Sequence, residues 1–342
     1  RVLRHVFDEE ALTLEALYRV KARLPDLADL TVFTGMLDEA RIAARIEDIW
    51  PDVGRVLDGT LQLTPRGYLA ISLPGYHNLR NAGDVERHTA PLQRHVTCLE
   101  EYLEACREIF IGCARFGAVC FKDQSAYTRT LDYGHPTRAE AEAAFNWLVD
   151  DPRRWANYPD QVKPLSDYLF HAFMRMARDL DLPVQLHTGH MAGLRNDIAK
   201  TNAVGLTKLI ELHRDVRFDL FHANWPYGGE LLFLGKNYPN VTLDFCWANL
   251  IDPVYCVRLF QQALSSVPHG KIHGYGSDYG GNGILHAWAH AQIARENIAV
   301  ALAELVEHEY LGLDEAKDVA QDWLFDNANA FFRLHLAAGT PA

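Results

Sequence analysis

Between residues 183 and 306 the chain repeats one unit: a short apolar or β-branched run, a polar loop, then a helical pattern. Such alternation predicts βαβ units and a parallel sheet, because consecutive parallel strands need a crossover that carries the chain back. The strands read as 183–188 (PVQLHT), 217–222 (RFDLFH), 241–246 (VTLDFC) and 272–277 (IHGYGS). Pro183 and the turns Tyr238-Pro239-Asn240 and Pro268-His269-Gly270 punctuate three of the entries. Helices are expected at 160–181, 228–237, 253–266 and 285–306, with two more in 314–335.

Upstream the pattern is weaker. Residues 117–122 (GAVCFK) read as a buried strand ending in a lysine, after a long amphipathic helix at 86–115. Runs at 67–73 (GYLAISL) and 30–34 (LTVFT) bring the strands to seven. A closed barrel of this kind needs eight. The expected architecture is one α/β domain over 1–342, a (β/α)8 TIM barrel with extra C-terminal helices and helical insertions near 37–60 and 135–160. The chain opens at Arg1 without a methionine, and the remaining first strand is expected either upstream of it or within the N-terminal residues.

A net charge of -12 argues against a nucleic-acid surface, which needs clustered Lys and Arg to neutralise phosphates. The expected partner is a small-molecule substrate, with no nucleic acid and no membrane, and homo-oligomerisation is left open. The six cysteines form no CxxC pair, and several lie in apolar stretches, as reduced thiols of a cytoplasmic protein would. No apolar run reaches the roughly 18 residues of a membrane span.

Lys122, His187, His222 and Asp278 stand at or just after the ends of four of these strands. In a parallel barrel all strand C-termini open on one face, so the four converge there. Taken singly, each has a structural reading: a hydrogen-bonded histidine, a snorkelling lysine, a capping aspartate. Together they can hold one or two divalent cations, since neutral imidazoles and carboxylates suit zinc and similar metals. Asp278 is placed to take a proton from an attacking water and pass it to a leaving group. Lys122 ligates only if carboxylated or deprotonated, and otherwise anchors an anionic substrate as a cation.

Polar and aromatic residues gather after the same strands. The glycine-containing loop 187–196 offers His190 as ligand, proton donor or substrate contact, Arg195 as a bidentate clamp for a carboxylate, and Asn196 as a further substrate contact. Tyr127, Trp225 and Trp247 supply aromatic walls for a small polar ligand.

Five segments, in this order and spacing, resemble the amidohydrolase superfamily: Leu186-His187-Thr188-Gly189, Leu220-Phe221-His222, 238–244 (YPNVTLD), 271–278 (KIHGYGSD) and 327–334 (NANAFFRL). The likeness is to its amidohydrolase-2 branch, which includes decarboxylases and lactone hydrolases and lies near the uronate isomerases. Lys122, with Ser125-Ala126-Tyr127 and Arg129, looks like the matching segment of amidohydrolase domains attached to glutamine-synthetase-like proteins. The resemblance implies a divalent metal, usually zinc, and a metal-activated water. By position it makes His187 and His222 ligands, His222 and Asp278 catalytic with Asp278 also a ligand, and Lys122 the bridging lysine of binuclear members. The family's first strand supplies an HxH pair, which this sequence lacks; it is expected before Arg1.

The expected function is therefore metal-dependent hydrolysis of an amide, lactone or ester-like bond in a small anionic substrate. A uronate isomerase-like or decarboxylase reaction on the same barrel is the alternative, and a catalytically degenerate binding barrel lacking the HxH pair is the third.

Overall fold

The computed structural model describes residues 2–48, 52–157, 161–194, 196–280 and 283–337. Seven parallel strands form one sheet in sequence order: β1 (Arg45–Glu47), β2 (Gly67–Ser72), β3 (Cys120–Asp123), β4 (Val184–Leu186), β5 (Phe218–Leu220), β6 (Val241–Asp244) and β7 (Ile272–His273). Each pairs in parallel with the next, as Phe218 with Val241 and Leu220 with Leu243 show between β5 and β6.

Alternation along each strand divides the sheet into two faces. Phe121, Val184, Leu186, Phe218, Leu220, Val241 and Leu243 point outward into the main core, against helices that include Leu99–Phe116, Lys163–Asp179, Gly228–Asn237 and Pro253–Ser266. Phe110 meets Phe121 edge-on at 5.2 Å, and Phe245 stacks on Phe260 at 3.9 Å, joining sheet to helices through aromatic contacts. Ala70, Cys120, Gln185, Asp219, Asp244 and His273 take the alternate positions on the inner face.

The sheet curls around that inner face. Phe332 packs with Ala70 of β2 and Cys120 of β3, and its ring also lies 5.6 Å from His273 of β7. Strands far apart in the sheet order thus share one plug at the bottom of the trough. Among the described residues β1 and β7 remain edges, so they form an open seven-stranded half-barrel where a closed eight-stranded barrel was expected.

Helix boundaries follow local chemistry. Leu99–Phe116 stops at Gly117, whose φ of 113° lets its N–H return to the carbonyls of Ala114 and Cys113. Asp252 accepts from Tyr255 N and Pro253 occupies the first turn, starting Pro253–Ser266 at the expected residue. Arg138–Val149, within the expected insertion 135–160, begins on a reciprocal Thr137–Glu140 cap. The expected C-terminal helices appear as Leu313–Gln321 and Asn327–Phe331, joined by a π-helical turn over Asp322–Asp326.

Three upstream readings are corrected. Residues 30–34 belong to the helix Leu30–Ala40: Asp29 accepts from Thr31 N, and Phe33, Met36, Leu37 and Ala40 bury one helical face against Ile284, Leu285 and Trp288. Helical spacing and the cap outweigh the β-branched residues. The segment 37–60, read as an insertion, instead contributes β1 and the short helix Val53–Leu57. The long helix expected at 86–115 is two, Ala82–Thr89 and Leu99–Phe116, separated by a 3-10 turn.

Candidate metal centre at the sheet's C-terminal edge

The chain leaves β5 through three consecutive left-handed residues, His222 (φ 63°), Ala223 (φ 49°) and Asn224 (φ 49°). Non-glycine residues adopt this region at a cost, so surrounding contacts must hold them there. Trp225 N–H donates to His222 O at 2.9 Å and Tyr227 N–H to Asn224 O at 2.7 Å. The Asn224 side chain accepts from Ala203 N at 2.9 Å and donates to Tyr227 O at 2.9 Å. Left-handed Trp247 (φ 60°) and Asp278 (φ 58°) mark the exits of β6 and β7. The turn after β5 aims the His222 ring back over the trough.

There His222 Nε2 lies 3.1 Å from His187 Nδ1. The remaining nitrogen of each ring faces a backbone carbonyl: His187 Nε2 is 2.7 Å from His190 O, and His222 Nδ1 is 2.8 Å from Cys246 O. A carbonyl only accepts, so each of those nitrogens carries the hydrogen and donates. The two nitrogens that face each other then carry bare lone pairs. Two lone pairs 3.1 Å apart repel, and a cation between or beside them would relieve that repulsion. Bonds of roughly 2.0–2.1 Å from zinc to imidazole nitrogen span this separation at an angle somewhat over 90°.

A proton is a poor candidate for that cation. Burial, reinforced by the Lys122 charge, pushes His187 down to about 3. Burial, then the charges of His187 and Lys122, holds His222 well below its ordinary value. Neutral buried imidazoles with their second nitrogens fixed are the form in which histidine binds a divalent metal.

Lys122 rises from β3 into the same space. Its buried Nζ makes no hydrogen bond among the described residues and lies 3.1 Å from the centroid of the Phe221 ring. Its charge reaches Asp48, Asp244 and Asp278, holding each carboxyl below the level that burial alone would set. Asp278 lies further out, at the rim. The residue is solvent-exposed, although protein atoms crowd its carboxyl enough to raise it. Its oxygens do not come within 4.8 Å of both paired imidazole nitrogens, so the structure assembles the histidines and sets the aspartate beside them.

The walls follow the expected loops in part. Tyr127 packs its ring 4.9 Å from His187, and its hydroxyl accepts from Ala192 N at 3.0 Å. His190 lies between Trp225 and Trp247, at 5.6 and 5.1 Å, and Trp247 also borders His222 at 5.9 Å. Asn196 donates to Ala192 O at 2.9 Å and so holds its own loop. Arg195 lies outside the described residues.

The sequence reading missed a polar layer below the histidines, formed by Asp219, Asp244 and His273. The signal was present: in FDL, VTLD and IH the polar residue alternates with apolar neighbours that face outward. It also missed the support behind β3, where buried His77 meets Asp123 Oδ1 at 2.9 Å and Ser166 Oγ at 3.1 Å. Asp123 O in turn accepts from His187 N at 2.9 Å, so this network holds the strand end that carries His187 in place.

Three comparisons with known proteins bear on this arrangement. The amidohydrolase family model matches residues 134–334, more than half of the chain. Protein fluG of Emericella nidulans is 24% identical over 185 residues, a match covering 51% of this chain and 20% of fluG, so the chain spans about a fifth of that relative's length. Among solved structures, the glucuronate isomerase of Caulobacter crescentus superposes with a TM-score of 0.74 at 20% identity, covering 99% of this chain and 74% of that one. The uronate isomerase of Thermotoga maritima gives 0.76 at 14% identity over 97% and 76%. A protein of Lactobacillus casei assigned as a metal-dependent hydrolase gives 0.71 at 19% identity over 94% and 81%. At these identities the structures establish shared fold, while the family model covers the strands that carry both histidines and Asp278; the chain belongs to the amidohydrolase family.

Proposed function

We propose that the chain is a metal-dependent hydrolase that cleaves an amide, lactone or ester-like bond in a small anionic substrate, with zinc as the metal. The observation that carries this reading is the 3.1 Å approach of two imidazole nitrogens whose ring partners are both fixed on carbonyls. His187 and His222 would hold the ion, with Asp278 beside it. When bound, a divalent cation polarises the scissile carbonyl and acidifies a water.

The remaining chemistry belongs to side chains of this chain. Lys122 presents an ammonium without a hydrogen-bonded partner among the described residues, suited to a substrate carboxylate. Asp278, with its carboxyl raised by crowding, takes a proton from the attacking water and returns it to the departing oxygen or nitrogen. His190, Trp225 and Trp247 wall the space and exclude bulk water. The raised Asp278 carboxyl also suits moving a proton between two carbons, which is the isomerase reading.

Two measurements test the proposal. Elemental analysis should find one equivalent of divalent metal more in the wild-type chain than in a His187→Ala/His222→Ala protein, and Asp278→Asn should keep that equivalent. A panel of lactones, amides and uronates in isotopically labelled water should show label entering a product, with Asp278→Asn inactive. Turnover without label uptake or mass change favours isomerisation, and a wild-type chain free of metal removes the reading altogether.

A further inference from the structure

Below the paired histidines, on the inner face of the half-barrel, three more side chains converge. Asp219 of β5, Asp244 of β6 and His273 of β7 each place a ligand atom within 4.8 Å of the others. All are buried, Asp219 completely and His273 with 3% exposed.

We propose that Asp219, Asp244 and His273 form a second divalent-cation site, distinct from the one at the mouth. One oxygen of each carboxylate is already engaged. Gln185 Nε2 donates to Asp219 Oδ2 at 3.2 Å, and Cys246 N–H donates to Asp244 Oδ1 at 2.6 Å. Each contact leaves the opposite oxygen directed toward His273, whose Nδ1 lies 3.1 Å from Asp219 Oδ1 and 4.0 Å from Asp244 Oδ2. Outer-shell donors that fix one carboxylate oxygen and present the other are a regular part of metal-site construction.

The second observation is unsatisfied polarity. Among the described residues neither nitrogen of His273 makes a hydrogen bond, and neither does Asp219 Oδ1. The 3.1 Å approach therefore brings the two groups close without aligning a ring N–H on the oxygen. Buried polar atoms without partners are costly. A cation held by these atoms would satisfy the aspartate oxygen and one ring nitrogen at once. Two carboxylates offset a charge of 2+, and a set of one imidazole and two carboxylates suits ions such as zinc, manganese or ferrous iron. The Phe331 and Phe332 rings, 5.1 and 5.6 Å from His273, close the site from below.

This site goes beyond the hydrolase reading and is tested separately from it. The chain carrying His187→Ala and His222→Ala, which removes the mouth site, is stripped with chelator and titrated with Co²⁺ by calorimetry and visible absorption. Saturable binding of one ion is expected, with affinity reduced about 10–100-fold by Gln185→Leu, which releases Asp219 Oδ2. Adding Asp244→Asn or His273→Gln should abolish it. If the folded double variant binds no Co²⁺, the pair of carboxylates shares a proton and the proposal falls. It falls equally if binding survives both substitutions unchanged. The first titration keeps all three proposed ligands intact, so it is decisive even where Asp244→Asn fails to fold.

Discussion

The hydroxyl of Thr188 donates to the carbonyl of Phe221 across 2.6 Å, tying the residue after His187 to the residue before His222. Both partners are buried, so the bond sets the distance between the loops that carry the two imidazoles. Thr188→Val keeps the shape and leaves that carbonyl without its donor. A loss of about 1–3 kcal/mol is expected in denaturant unfolding, with weaker metal binding, read by competition with a chelator. Unchanged metal affinity in a destabilised variant would limit Thr188 to a folding role.

Gly189 continues the same junction. Its φ is +66°, and a Cβ there would stand 2.5 Å from Asn224 C and Trp225 O, atoms of the strained turn that aims His222. Gly189→Ala is expected to destabilise by on the order of 2 kcal/mol or more. Gly193, four residues on, has a φ of +91° and nothing within 4 Å of the added carbon. Gly193→Ala should show only the dihedral cost, about 1 kcal/mol. Equal midpoints for the two variants would contradict the close approach.

Much of this arrangement was legible in the sequence, and the failures have physical causes. Helices at 228–237 and 253–266 match the expected bounds because a proline-preceded strand or an Asp-Pro cap punctuates them. That Lys122, His187 and His222 share one edge was legible because strand ends in a parallel sheet share a face, whatever the loops between them do. β1 escaped because three residues, Arg45–Glu47, are too few and too polar to show alternation. Asp278 was placed at the correct edge, but its distance from the histidines depends on a left-handed backbone that an aspartate shows no advance sign of adopting. The inner layer of Asp219, Asp244 and His273 was overlooked because the strands that carry it are only two to four residues long, too short for the polar alternation to stand out from the apolar neighbours.

His213 gives the chain a readable acid sensitivity away from the paired histidines. It lies against His171, with Nε2 2.8 Å from His171 Nδ1, and burial followed by the charge of His171 pushes it down to about 4. The unfolded chain takes up this proton near pH 6.5, while the folded chain refuses it until about pH 4. Its contribution to stability is therefore complete above pH 6.5 and declines as pH falls toward 4, by up to about 1.4 kcal/mol per pH unit. His213→Gln should flatten the stability curve by that slope in this window. Parallel wild-type and variant curves between pH 4 and 6.5 would contradict the assignment.

Lys122 separates the needs of folding from those of the site. Its ammonium is buried with the Phe221 face beneath it and no hydrogen bond among the described residues, an expensive way to hold a charge. Lys122→Met keeps the length of the side chain and removes the cation. Replacing a poorly satisfied buried charge with an apolar group of similar volume is neutral or favourable, so unfolding free energy should stay level or rise by about 1–2 kcal/mol. The chemistry should move the other way. The carboxyls of Asp48, Asp244 and Asp278, which the lysine charge pulls down, should rise further, and His187 and His222, which it pushes down, should rise too. Turnover of an anionic substrate should fall through KM, since the lost cation is the group that meets its charge, and the acid limb of the pH profile should shift upward with Asp278. A more stable, less active enzyme is the pattern expected where a site stores unfavourable electrostatics. A marked drop in thermal stability with KM unchanged would instead make Lys122 a structural partner of Phe221, and the substrate's charge would have to be met elsewhere on the rim.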